Sequence, residues 1–265
     1  MSEGLGSGSV TVEQHGAIAI VRFDRKGSAN ALSFAVMDDL CAIARRFERA
    51  SDVAAVVLVG AERVFSGGMD LKDETWQRLE RMSIPERREV AAHGPRLARA
   101  WTAIEPVTIA AIEGACFGGG VALAAFCDFR VAGRSARFAT PEVGIGLNMA
   151  WHSVPRILRL VGLQPTRRLL LLGETWTASA ALGHGFLDEV TEDGGALARG
   201  LAMAEHLAAR PQVATRMVKR SIEVAAHSQD LALSAVESDL QLVNWVSEDF
   251  ARARAEFARR AKAGS

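Results

Sequence analysis

Two apolar, β-branched runs each lead into a glycine turn, and this arrangement most constrains how the 265-residue chain can fold. Val53-Ala54-Ala55-Val56-Val57-Leu58-Val59 precedes Phe65-Ser66-Gly67-Gly68-Met69-Asp70, and Val107-Thr108-Ile109-Ala110-Ala111-Ile112 precedes Cys116-Phe117-Gly118-Gly119-Gly120. Continuous apolar runs of this kind read as strands covered on both faces, as in a parallel sheet. The second turn runs straight into Val121-Ala122-Leu123-Ala124-Ala125-Phe126, which reads as a buried helix. Glycine removes the Cβ that keeps a ligand off the backbone, and it permits φ > 0. A strand–glycine turn–helix unit therefore presents N–H groups at a positive helix end, where negative charge is favoured. Two such turns aimed at one point would hold a single oxyanion between two backbone donors. Neither has the G-x-G-x-x-G or G-x-x-x-x-G-K-[ST] spacing, and Val121 and Ala122 follow the second. Phosphate cradling is not expected.

Alternating strands and helices dominate the first two thirds. Further strands are predicted at 17–23, 128–132 and 136–139. Ser33 suits an N-cap for a helix whose apolar positions Phe34, Met37, Leu40, Cys41, Ala44 and Phe47 recur at a helical period. After about residue 164 the strand signals fade, and helices are predicted at 164–172, 178–184, 195–209, 211–226, 230–246 and 248–261. Leu231, Val236, Leu240 and Val243 form one apolar stripe there, more than a single small domain covers by itself. Residues 72–99 are polar, punctuated by Trp76, Leu79, Met82 and Ile84. Residues 1–9 are rich in glycine and serine and are expected to form a flexible tail, not a signal peptide.

Composition excludes several classes. Thirty-one basic and 31 acidic side chains give zero formal charge, so no basic field points to nucleic acid or a membrane surface. No run approaches the ~18 apolar residues of a membrane span. Cys41, Cys116 and Cys127 are odd in number and lie among apolar residues, which reads as reduced core thiols in a cytoplasmic protein. No C-x-x-C or H-E-x-x-H spacing supports a metal site. His15, His93, His184, His206 and His227 are scattered singly.

Taken in order, Ala29-Asn30-Ala31-Leu32-Ser33, the two glycine turns, Cys127-Asp128-Phe129-Arg130, Phe138-Ala139-Thr140-Pro141-Glu142 and Val154-Pro155-Arg156-Ile157 resemble the enoyl-CoA hydratase/isomerase, or crotonase, superfamily. The resemblance runs from about residue 10 to 262. It implies an α/β fold, a spiral of ββα units over 10–195, with a C-terminal helical oligomerisation segment over 196–265. It also implies an acyl-CoA thioester substrate, with coenzyme A part of the substrate and no separate cofactor. The backbone N–H groups of Met69 and Gly119 match the donors for an enolate oxygen, and Gly67, Gly68 and Gly118 beside them match CoA-binding positions. Arg25, Asn30, Ala31, Leu32 and Asp70 match the CoA-binding segment. The family packs as a trimer or a dimer of trimers, and Phe257 and Arg260 match positions that reach a neighbour's site. Trp76, with Met149 and Trp151, is a candidate for the wall of the acyl pocket.

The acid/base pair departs from the pattern. Family hydratases hold a water between two glutamates; Glu142 matches the second, but Ala122 stands where the first belongs. Concerted hydration needs one group to deprotonate water and a route to protonate the α-carbon. Moving a proton between two carbons of an enolate needs only one carboxylate, which favours double-bond isomerisation. Decarboxylation and carbon–carbon lysis make the same demand. Hydration with another second group, or a CoA-ester scaffold with little activity, are the alternatives. His152, in a loop shorter than the family's, is a candidate for the missing acid or base.

Overall fold

The computed structural model describes residues 2–4, 6–228 and 230–263, with backbone alone for 2–4, 80, 231–238, 254, 257, 258 and 260–263. The described residues form the strands β1 (Ser2–Gly4), β2 (Val10–His15), β3 (Ile18–Phe23), β4 (Ala55–Val59), β5 (Val64–Ser66), β6 (Val107–Ile112), β7 (Ala115–Phe117), β8 (Phe129–Gly133), β9 (Arg137–Ala139), β10 (Trp176–Thr177) and β11 (Glu189–Thr191). One sheet has the order β1-β2-β3-β4-β6-β8-β11 and the other β10-β9-β7-β5. The pairs β4–β5, β6–β7 and β8–β9 each place one strand in the large sheet and the next in the small one. Gly114, at φ 61°, makes one of these switches; a Cβ there would lie 1.9 Å from the Arg63 carbonyl oxygen. This is the expected spiral.

The helices are α1 (Phe34–Phe47), α2 (Thr75–Arg78), α3 (Ile84–Ala91), α4 (His93–Thr102), α5 (Gly119–Ala125), α6 (Ser153–Val161), α7 (Leu163–Leu171), α8 (Ala178–Gly183), α9 (Ala196–Ala208), α10 (Gln212–His227), α11 (Asp230–Trp245) and α12 (Glu248–Ala263). Ser33 caps α1 as its sequence suggests, its hydroxyl accepting from the Val36 N–H at 3.3 Å. All six residues of the α1 stripe are buried.

The apolar runs are covered on both faces, and alternation sorts their side chains. Val56, Leu58, Ala110 and Ile112 face the main core with α1 and α5. Val57, Val59, Ile109 and Ala111 face a second cluster with Ala196 and Ala204 of α9. Gly200 on α9 is where helix and sheet approach: a Cβ there would meet Val57 at 3.4 Å and Ile109 at 3.5 Å. The α9 N-terminus is pinned by Glu113, whose Oε1 accepts from the Ala196 N–H at 3.0 Å. Helix α9, which follows residue 195, thus forms one layer of the core.

Within the 1–9 tail, Ser2–Gly4 is an edge strand paired antiparallel with Thr11–Glu13. The polar segment 72–99 forms α2, a 3-10 turn, α3 and most of α4, with Pro85 and Pro95 near the helix starts. The three cysteines are buried free thiols. Burial pushes Cys41 up to about 11 and Cys127 up to about 12. Among the described residues no helix is long and apolar enough to cross a membrane.

Candidate active site

Both glycine turns line one cavity of about 90 Å³, together with Glu142, Met149 and Trp151. Their meeting depends on residues 26–32. Lys26, Ser28, Ala29 and Asn30 all have φ near 50°, a left-handed run that L-residues adopt at a cost. The buried Asn30 side chain holds it, donating to the carbonyls of Phe23 at 3.0 Å and Phe65 at 2.8 Å. Its oxygen also accepts from the Arg25 N–H at 3.1 Å. Asn30 therefore clamps the CoA-matching segment to β3 and β5; its side chain is occupied within the protein. Ser66 continues the brace, donating to the Asn30 carbonyl and accepting from the Gly68 N–H, each at 3.1 Å.

The first turn is then laid against Leu32. The Leu32 N–H donates to the Gly68 carbonyl at 2.7 Å, and the Asp70 N–H donates to the Leu32 carbonyl at 3.0 Å. Alternation along this bridge turns the Met69 N–H to the opposite side. Gly68, at φ 94°, permits the bend. A Cβ on Gly68 would lie 3.5 Å from the Gly119 nitrogen, which shows how closely the two turns approach. Gly119 is the first residue of α5, where N–H groups lack intrahelical partners. The Gly67 N–H, by contrast, is used by the Ala29 carbonyl at 2.8 Å.

Glu142 begins a 3-10 turn, Glu142–Ile145, and sends its carboxylate to Gly118. Gly118 has φ 49° and ψ −116°, and a Cβ there would be 2.3 Å from Glu142 Oε1. Although residue 142 as a whole is half-buried, its Oε2 is shut off from solvent with no hydrogen-bond partner in the protein. Burial raises its pKa to about 7, against a smaller lowering from its own backbone N–H. Such a carboxylate exchanges protons near neutrality. Among the described lining residues, Glu142 alone has a titratable side chain. Ala122 is fully buried on α5 and does not line the cavity.

Trp151, at φ 65°, covers the turn: a Cβ on Gly119 would lie 2.6 Å from its ring and one on Gly94 1.9 Å from it. Met149 lines the same space, so the structure brings both residues to the cavity. Trp76 does not reach it. It is buried in the core against Phe34, Trp245 and Phe250, and its indole N–H donates to the Asp70 carbonyl at 2.9 Å. A core contact accounts for it; the sequence showed an apolar residue but not which side of α2 it lay on. His152 caps α6 at φ 60°, half-buried and outside the cavity lining.

Arg25 sits in an adjoining outer pocket with Asp70, Lys72 and Arg78. Its guanidinium donates to Asp70 at 2.6 Å and to the Ala31 carbonyl at 3.1 Å. Phe257 and Arg260 lie outside the residues whose side chains are described. The sequence reading missed Leu71, Leu147, Asn148 and Gln241 as lining residues. Gln241 in particular carries no motif and comes from a helix expected to serve assembly.

Two glycine turns and one buried carboxylate thus share a single cavity, an arrangement able to hold an anion and exchange a proton. The chain matches the enoyl-CoA hydratase/isomerase family over residues 13–264. It is 30% identical over 215 residues to a short-chain-enoyl-CoA hydratase of Clostridium acetobutylicum, covering 81% of this chain and 80% of that one. It is 27% identical over 259 residues to a crotonyl-CoA hydratase of Syntrophomonas wolfei, covering 96% of each. Its fold resembles the crystal structure of an enoyl-CoA hydratase/isomerase from Xanthobacter autotrophicus, with a TM-score of 0.85, 26% identity, and 95% and 93% of the two chains covered. The chain belongs to the enoyl-CoA hydratase/isomerase family.

Proposed function

We propose that this enzyme moves the double bond of an enoyl-CoA thioester between the 3- and 2-positions, with Glu142 as its one acid/base. The carrying observation is that, among the described residues, Glu142 alone brings a titratable side chain to the cavity, beside two glycine turns. The ionised Glu142 takes a proton from C2 of the 3-enoyl thioester. Electrons shift to the thioester oxygen, which the Met69 and Gly119 N–H groups hold as an enolate. The protonated Glu142 then returns that proton to C4 as the double bond forms between C2 and C3. No water or second carboxylate enters the step. Arg25, Lys72 and Arg78 in the outer pocket suit the CoA phosphates.

Hydration is the second reading, supported by the names of the two relatives above. Matched 3-enoyl- and 2-enoyl-CoA esters separate the two. Isomerisation of the 3-enoyl ester is expected to exceed hydration of crotonyl-CoA in kcat/KM by about tenfold or more, since water lacks its second activating group. Hydration outpacing isomerisation would overturn the preference.

The assembly proposed is a homotrimer or a dimer of trimers. Support comes from α10, which exposes Val213, Met217, Val218, Ile222 and Val224. Leu240 and Val243 of the predicted stripe are exposed as well. Apolar surface of this extent favours association. Light scattering at micromolar concentration is expected to give three or six subunit masses, and a monomer mass would refute it.

A further inference from the structure

The cavity holds a second polar pole whose presence the proposed chemistry does not require. Gln241 of α11 is 5% exposed, lines the cavity with Glu142, and its Oε1 is buried with no hydrogen-bond partner in the protein. The other amide there, Asn148, is engaged: its Oδ1 accepts from Asn244 Nδ2 at 2.6 Å and its Nδ2 donates to the Met149 carbonyl at 3.3 Å. The same helix face explains why Gln241 points inward. Asn244 and Trp245 lie three and four residues on, Asn244 fastening α11 to the cavity loop and Trp245 packing on Trp76 at 5.4 Å between ring centroids. A leucine at 241 would satisfy that packing without burying an amide. An unpartnered buried amide is costly to retain for structure alone. The remaining walls, Leu71, Ile145, Leu147, Met149, Ala150 and Trp151, offer carbon surface, apart from one indole N–H.

We infer that Gln241 determines substrate specificity by accepting a hydrogen bond from a hydroxyl carried on the acyl group, so that the enzyme selects hydroxylated over purely hydrocarbon acyl-CoA thioesters. This rests on the thioester reading above. A hydrocarbon chain entering the cavity displaces water from the amide and returns no hydrogen bond, whereas a hydroxyl replaces it. A site built to bond a substrate hydroxyl discriminates strongly against the analogue without one. The hydroxyl is an acyl substituent and takes no part in the proton transfer at Glu142.

The test is calorimetric binding of butyryl-CoA and its 2-, 3- and 4-hydroxy counterparts to wild type, Gln241→Met and Gln241→Asn. Wild type is expected to bind one hydroxylated ester roughly ten- to a hundredfold more tightly than butyryl-CoA. Gln241→Met, close in shape, should lose that preference, bind butyryl-CoA at least as well, and melt no lower than wild type. Gln241→Asn should keep part of the preference, which a purely structural residue would not. Equal affinity for all four esters in wild type, or an unchanged preference in Gln241→Met, overturns the inference while leaving enoyl-CoA turnover intact. Failure of every thioester to bind instead overturns the parent reading, and this inference with it.

Discussion

Glu142→Gln is expected to lower turnover by about 10²–10⁴-fold, the usual contribution of a positioned acid or base, with little change in affinity for a saturated CoA ester. Glu142 lines the cavity, and its buried Oε2 has no hydrogen-bond partner in the protein whose loss would disturb the site. The pH profile carries the same information. Burial raises the Glu142 pKa to about 7, and the ionised form is the base, so kcat/KM should rise with pH and level off above about 7. That rise should vanish from the residual activity of the glutamine variant. Stability shifts the other way: a carboxyl whose folded pKa is raised stabilises least once ionised, so its contribution falls as pH rises towards and through 7. Glu142→Gln should therefore melt higher than wild type at pH 8 and not at pH 4. Near-normal turnover in this variant would place the chemistry elsewhere.

Gly118→Ala is expected to cost about 10²-fold in turnover without removing any chemical group. Two effects act together. At φ 49° and ψ −116° an L-residue is strained by about 1–3 kcal/mol. In addition, the new methyl would stand 2.3 Å from Glu142 Oε1, and the carboxylate must move. A displaced base no longer meets the substrate carbon. The double variant Gly118→Ala with Glu142→Gln checks this: if glycine acts through the carboxylate, the second change adds little to the loss of the first. Additive losses would instead mean that Gly118 acts through the backbone of the turn. Thermal melting separates the stability cost from the catalytic one.

Most of the fold is legible in the chain because its signals are local. Val107–Ile112 is a strand over the range its apolar run marks, and the α1 stripe is buried as its period requires. The predicted helices after residue 164 appear within two residues of their expected ends. The two glycine turns stand out by residue type, since a turn that must admit a ligand restricts its sequence to glycine, whereas Glu142 is singled out only by the family resemblance. Local pattern was silent on β2, whose alternation is weak, and on the edge strand β1, which exists only by pairing.

What the sequence by itself determined is the set of elements, their alternation, and the glycine turns that leave backbone N–H groups open. These follow from period, side-chain size and backbone freedom, all properties of neighbouring residues. Tertiary structure alone decided which of those residues share a cavity. It sent Trp76 to the core and kept His152 outside the lining, though both lie close in sequence to lining residues. It folded α11 back over its own subunit, so that Gln241 reaches Glu142's cavity, while the adjoining α10 keeps its apolar face exposed. An amphipathic helix records that one face must be buried, but the partner that buries it is set by distant residues competing for the same surface. Helix periodicity is therefore the same whether that partner is the helix's own cavity or another subunit.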